Sequence, residues 1–256
     1  MTGGIKRIVL AMSLAAAIAA TATAAEPTKL PEGFVYLRQL DPSIPQDIRY
    51  FGSHNFLGRR VAGYDAAECI LTRKAAIALQ KIQRRLKPRG LSLKVYDCYR
   101  PAQAVADFAR WASRPGDEAG KTEFYPTLDK SHLFALGYIA KRSGHSRGSS
   151  VDLTIVPLPA RADPASTPEK ACHLPAGERY ADNSLDFGTG YDCFHDRSHT
   201  QATRIGREAQ RNRALLVAEM ANNGFVNYKR EWWHFSLKDE PFPKTHFDFP
   251  ISAPAD

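Results

Sequence analysis

The first 25 residues decide what the rest of this chain has to work with. A basic start ending in Lys6-Arg7 leads into an apolar, alanine-rich run from Ile8 to Ala20, then into the small residues Thr21-Ala22-Thr23-Ala24-Ala25. A positive end, a short apolar segment and a small-residue cleavage site are the parts of a secretory signal peptide. The apolar run is shorter than the roughly 20 residues that span a bilayer, so the expectation is cleavage after Ala24 or Ala25. That divides the chain into a signal peptide, residues 1–25, and one domain, residues 26–256, exported to the periplasm or secreted. An oxidising compartment then bears on Cys69, Cys98, Cys172 and Cys193, because an even number of cysteines in an exported chain reads as disulfides. Cys69–Cys98 with Cys172–Cys193 closes the shortest separate loops, and each bridge adds about 3 kcal/mol by restricting the unfolded chain. Neither pair has the C-x-x-C spacing of a structural zinc site.

The chain's 256 residues suit one sizeable core rather than two. No later stretch is apolar enough to cross a membrane, so no insertion is expected once the leader is gone. Loss of Lys6 and Arg7 from 35 basic residues, against 27 acidic, leaves a net charge of about +6. Such a balance suits anionic envelope polymers or acidic substrates. The basic residues are scattered, and Arg204, Arg207, Arg211 and Arg213 read as a solvated helix face rather than a nucleic-acid patch.

Residues 26–60 read as extended loop with short strands at 34–37 and 48–50. Apolar residues recur at helical spacing from Ala66 to Leu86, and Pro88 with Gly90 ends that pattern. Residues 91–96 alternate as a half-buried strand. Pro101 fits the first turn of a helix bearing Ala104, Val105, Phe108 and Trp111. Residues 113–130 read as loop, 151–156 as an apolar strand, and 157–200 as a long aperiodic insertion ordered by a disulfide. A helix from about Gly206 to Asn222, capped at Asn223-Gly224, precedes strands at 225–228 and 232–236. The expected architecture is α+β: one domain with a small antiparallel sheet flanked by helices.

Three segments carry chemistry. Ser143-Gly144-His145-Ser146-Arg147-Gly148-Ser149-Ser150-Val151-Asp152 sets a His and an Asp either side of a glycine turn able to fold one toward the other. In Glu231-Trp232-Trp233-His234 a carboxylate and an imidazole share one face of a turn. A hydrolytic zinc needs three protein ligands, an open position for water, and a carboxylate beside it that is not a ligand. Val95-Tyr96-Asp97-Cys98-Tyr99-Arg100-Pro101 ends a strand on an arginine, suited to an oxyanion or a terminal carboxylate. Each segment also has a plain structural reading: a surface histidine, two core tryptophans, an Asp97–Arg100 ion pair. His195 and His199, four apart, form a weaker metal pair with no nearby third ligand.

Together the segments resemble the VanX-type D-alanyl-D-alanine dipeptidases, zinc enzymes of the wider D-Ala-D-Ala/hedgehog-like peptidase group. Further matching stretches are Asn55-Phe56-Leu57-Gly58 with Gly63-Tyr64, Phe187-Gly188-Thr189 with Arg197-Ser198-His199, Asn212-Arg213, and Gly224-Phe225-Val226-Asn227-Tyr228. The resemblance runs from about residue 30 to 245. It implies one zinc ion per chain held by His145, Asp152 and His234, with Glu231 as general base and Arg100 stabilising the oxyanion. It also places Ser143 in the substrate site, with Asp97 there too or bracing Arg100; Tyr64 is read as a further substrate contact, though Tyr64 and Asn55 can line the pocket or pack beneath it. The implied substrate is a small D-amino-acid dipeptide or a peptidoglycan fragment. The 157–200 insertion and the four cysteines depart from the compact members of that group. Export points to scavenging of wall-derived D-alanine.

Three other readings compete. A carboxypeptidase acting on longer peptidoglycan stem peptides uses the same residues. An iron oxygenase with two histidines and one carboxylate shares the ligand types but leaves Glu231 without a task. An envelope-binding module with a structural zinc needs neither Glu231 nor Arg100.

Overall fold

The computed structural model describes Met1, residues 29–161 and residues 170–254. Residues 2–28, which hold the rest of the leader expected at 1–25 and the domain start at residue 26, lie outside the described residues, as do residues 162–169 of the 157–200 segment.

β1 (Phe34–Tyr36) passes into one helical turn, α1 (Leu37–Leu40), and pairs antiparallel with β2 (Ile70–Thr72). α2 (Arg73–Leu86) follows β2 without a loop. The helix expected from Ala66 therefore starts seven residues later. Ile70 and Leu71 are both buried, and two adjacent buried residues fit a strand covered on both faces as well as a helix. Thr72 marks the true boundary: its hydroxyl accepts from the Ala75 amide at 3.4 Å, an N-cap bond. Gly90, at φ +69°, ends the helical run and turns the chain into β3 (Leu91–Asp97).

Beyond β3 come α3 (Ala102–Ala112), the short α4 (Lys121–Phe124), β4 (Ser150–Pro157), α5 (Arg207–Ala221), β5 (Phe225–Asn227) and β6 (His234–Leu237). α3 packs Ala104, Val105, Phe108 and Trp111 inward. Residues 48–50 form no ladder; the Asp47 and Arg49 amides bond to Val95 O and Tyr96 O along the edge of β3. Trp232 and Trp233 precede β6 in a turn closed by Glu231 N to Tyr228 O at 3.0 Å and His234 N to Glu231 O at 3.3 Å.

The main sheet has the order β3-β4-β6-β5, antiparallel throughout. Its register sets Asp97 opposite Asp152, and Asp152 opposite His234, after an irregularity between Val95 and Asp97. Three chemically active side chains thus stand in one row across three strands, though 137 positions separate the first from the last in sequence. β4 is the centre of that row and is buried at every position but Pro157.

The described part of the 157–200 segment is pinned to the sheet and to α5. Cys172 joins Cys193 and Cys69 joins Cys98, with Cα separations of 5.5 and 5.3 Å, in the pairing the loop lengths favour. Arg213, expected on a solvated face, is instead 2% exposed. Its guanidinium donates to Phe187 O, His199 O and Arg197 O, collecting carbonyls that no strand partner satisfies. Burial lowers its pKa to about 10.

Candidate active site

His145 sits in a 3-10 turn, residues Gly144–Arg147, capped by the Ser143 hydroxyl, which accepts from the His145 amide at 3.2 Å. Gly148 closes the turn at φ +77°, and a side chain there would strike the Phe34 ring, so this position needs glycine. His145 Nδ1 donates to Cys98 O at 2.7 Å, which leaves Nε2 as the lone-pair nitrogen facing the cavity. His234 presents Nδ1 to the same point, and its Nε2 lies 3.5 Å from Ser236 Oγ, itself 2.7 Å from Ser150 Oγ.

His145 Nε2, His234 Nδ1 and Asp152 Oδ1 are 2.9–3.3 Å from one another. Tetrahedral donors at about 2.0–2.1 Å from a metal are about 3.3 Å apart, so the spacing fits one ion. Two lone-pair nitrogens and a carboxylate oxygen also converge with at most one proton to share among them, and a cation removes that conflict. Despite its burial, the Asp152 carboxyl is held well below the usual range by the two imidazoles. Burial lowers His234, favouring the neutral ring a metal needs. Among the described residues one other group is close enough for a metal, Cys172, His173 and Cys193. Both of its cysteines are spent in a disulfide. His195 and His199 enter neither group.

Glu231 lies beside the three donors and outside them, its Oε2 3.8 Å from His234 Nδ1. Burial, then the charges of Asp152 and Asp192, pushes its carboxyl well above the ordinary value. A carboxylate so placed is a proton acceptor in search of a partner. Arg100 approaches the other oxygen of Asp152. Its Nε and Nη2 donate to Asp97 Oδ2 at 2.9 and 2.8 Å, and Nη2 is 3.5 Å from Asp152 Oδ2. The guanidinium rests 5.1 Å from the ring centres of both Tyr50 and Phe108. It is locked in place before any substrate arrives.

A cavity of about 270 Å³ opens over these groups. His145, Asp152, His234, Glu231, Arg100 and Ser143 all line it. Asp97 and Tyr64, expected as substrate contacts, do not. Tyr64 is wholly buried and donates to Asp97 Oδ1 at 2.6 Å, so the two form a stack beneath Arg100. Asn55 is buried as well, bonded to the carbonyls of Arg49, Gly52 and Arg59.

Sequence reasoning passed over three residues. Asp192 lines the cavity at φ +54°, accepts from Tyr50 OH at 2.7 Å, and is pushed up to about 8 by burial with the Asp152 charge adding to it. Tyr191 donates to Asp152 Oδ2 at 3.1 Å, steadying the carboxylate from behind. Tyr50 lines the wall between Arg100 and Asp192. One signal was present: Tyr191-Asp192-Cys193-Phe194 repeats the pattern of Tyr96-Asp97-Cys98-Tyr99. The two segments meet in space, with the Tyr96 and Tyr191 rings stacked 4.4 Å apart.

A structural metal site has no use for an unpaired glutamate beside it or for a buried arginine aimed across it. The chemistry of this arrangement is that of a metallopeptidase. Comparison with known proteins narrows the class: residues 31–160 and 178–252 match the D-ala-D-ala dipeptidase family, and the chain belongs to that family. It is 35% identical over 223 residues to a D-alanyl-D-alanine dipeptidase of Enterococcus faecalis, covering 87% of this chain and all of the relative. It is 38% identical over 219 residues to one of Streptomyces coelicolor, covering 86% and 98%. A more distant relative of the same description, from Escherichia coli, is 32% identical over 203 residues, covering 79% of this chain and 83% of the relative.

Proposed function

We propose that the chain is an exported zinc enzyme that hydrolyses the free dipeptide D-Ala-D-Ala, with His145, Asp152 and His234 holding the metal. The names of its relatives point to that substrate. Two nitrogen donors and one oxygen donor in a compact cluster suit zinc. Zinc bound there would supply a Lewis acid for the scissile carbonyl and a water whose pKa is lowered toward about 7.

The remaining work falls to side chains. Glu231 takes a proton from the attacking water and returns it to the leaving amine. Arg100, fixed by Asp97, stabilises the negative charge that develops on the carbonyl oxygen. Asp192 accepts the substrate's ammonium group, and Tyr50 OH keeps its carboxylate turned into the cavity. Ser143 and Arg142, which also line the cavity, suit the terminal carboxylate. Opposite charges lining one cavity complement a zwitterion.

The observation that carries this reading is Asp192, a buried carboxylate facing the same space as the metal donors. A blocked or extended N-terminus offers it no charge. The cavity is also smaller than the roughly 300–1,000 Å³ of sites for drug-sized ligands. The test compares D-Ala-D-Ala with its N-acetyl derivative and with a stem peptide ending in D-Ala-D-Ala. The dipeptide is expected to be turned over and the blocked forms to be poor substrates. Equal rates would make the enzyme a carboxypeptidase. Metal analysis of protein purified without added metal is expected to find one zinc per chain.

Export rests on the pattern of residues 1–25, and it explains why four cysteines pair as disulfides. Outside the cytoplasm the enzyme meets dipeptide released from the wall, so recovery of D-alanine is the role proposed for it. Mass spectrometry of the native protein should find an N-terminus near Glu26. An intact leader in the cytoplasmic fraction would refute export.

A further inference from the structure

Tyr191, Asp192 and Phe194 all face the catalytic centre, and the residue between the last two is bridged. Tyr191 OH grips Asp152, the Asp192 carboxylate faces the cavity, and the Phe194 ring forms part of its wall. Along its backbone the Cys193 carbonyl is bonded, to the His195 amide at 2.8 Å and to Ser198 Oγ. Among the described residues, none of the amides of Tyr191, Asp192 and Cys193 donates a hydrogen bond. Regular bonds resume on either side, Gly190 N to Cys172 O at 2.9 Å and Phe194 N to Phe124 O at 2.8 Å. Asp192 also adopts a left-handed backbone, φ +54°, which is uncommon for residues other than glycine though Asp tolerates it better than most.

The Cys172–Cys193 bridge anchors this stretch covalently. Cys172 is 2% exposed, and its amide donates to Glu123 O at 2.9 Å, at the end of α4. Its partner Cys193 is fully buried. The Cys193 carbonyl accepts from Ser198 Oγ at 2.6 Å. The covalent link thus stands where the hydrogen-bond ladder lapses. On the other side of the site, Cys98 is bridged to Cys69, and its carbonyl orients His145. The family match leaves out residues 161–177, which include Cys172. The bridge therefore ties a family-matched wall to a segment outside the match.

We propose that the Cys172–Cys193 bridge is a positioning device for substrate selection, holding Asp192 where it meets the ammonium group of a free dipeptide. Cys172 and Cys193 touch neither metal donors nor substrate; they act through the segment they tether. This rests on the reading of Asp192 as the receptor for the amine.

The test uses the zinc-saturated full domain with Cys172→Ser and Cys193→Ser together, assayed well below its unfolding temperature. The KM for D-Ala-D-Ala is expected to rise about tenfold or more, as for loss of a charged hydrogen bond. The preference for the free dipeptide over its N-acetyl derivative should fall by a similar factor. The kcat should stay within about threefold, since Glu231 and Arg100 lie on other elements. A bridge that only adds stability would lower the unfolding temperature and leave KM and the preference unchanged, which would overturn the proposal. A Cys172→Val, Cys193→Ala pair, which fills the space with apolar atoms, provides a second variant. If neither pair folds, the bridge is a folding staple and the proposal fails. Asp192→Asn with the bridge intact separates the two readings. An effect there, with none in the bridge variants, overturns only the role of the bridge; no effect there overturns the amine reading and this proposal with it.

Discussion

Replacing Asp192 by Asn is expected to weaken substrate binding and strengthen the fold, because this carboxylate is kept where it does not ionise readily. Burial and the Asp152 charge push it from 3.8 up to about 8. In the metal-free protein at pH 7 the folded state therefore keeps a proton that the unfolded chain has released. A folded value above the unfolded one means that stability is full at low pH and is lost as pH rises toward 8. The slope is about 1.4 kcal/mol per pH unit for one proton, and the cost accumulated from pH 4 to pH 7 reaches at most about 4 kcal/mol. Asn removes that cost and can still accept the Tyr50 hydroxyl. Chemical denaturation of chelated protein should show the variant more stable at pH 7, with the two curves converging near pH 4. Kinetically, loss of a charged hydrogen bond worth about 1.5–3 kcal/mol should lower kcat/KM for the free dipeptide by about 10- to 150-fold. The N-acetyl derivative has no charge to lose and should be unaffected. Parallel stability curves would refute the burial argument. An equal loss on both substrates would refute the contact with the amine.

Glu231→Gln should lower kcat by about 10²–10⁴, the usual contribution of a general base, while one zinc per chain remains bound. Zinc lost along with activity would make Glu231 a ligand. Exhaustive chelation should abolish hydrolysis and added zinc should restore it; activity that survives chelation would remove the metal from the mechanism. Arg213→Met strands the carbonyls of Phe187, Arg197 and His199, and should cost about 2–4 kcal/mol in a denaturant titration. Its kcat per folded molecule should be unchanged, and an unaltered midpoint would show that the buried charge is dispensable.

The chemistry was more legible than the selectivity, for a physical reason. Glu231 and His234 are three apart and are brought together by one turn. His145 and Asp152 are seven apart across Gly148, which can take a backbone conformation that side chains avoid. Such proximities are local, so residue type and spacing reveal them. Arg100 follows directly from the end of an alternating strand. The helix start was obscured because Ile70 and Leu71 satisfy two periodicities at once; only the Thr72 cap distinguished them. Arg213 was misplaced because a charge pattern along a helix cannot register carbonyls arriving from residues 187–199. Asp192 and Tyr191 lie in a stretch without any period, where position depends on a disulfide and on contacts about 40 and 140 residues away in sequence.

That division also separates what can vary from what cannot. The row Asp97–Asp152–His234 is fixed by strand register, and slipping β4 by one residue would turn Asp152 to the other face of the sheet. The machinery for hydrolysis is therefore bound up with the core. Much of the wall comes from loops, with residues 137–140, Arg142, Ser143, Asp192 and Phe194 lining it. Changes there alter which peptide ends are admitted and leave the water, the base and the oxyanion contact in place. A segment outside the family match, tied to that wall by a bridge beside Asp192, is placed to act on selection and not on chemistry. For that reason the informative readout for this chain is the ratio between free and blocked substrates, and a rate on one substrate alone would miss it.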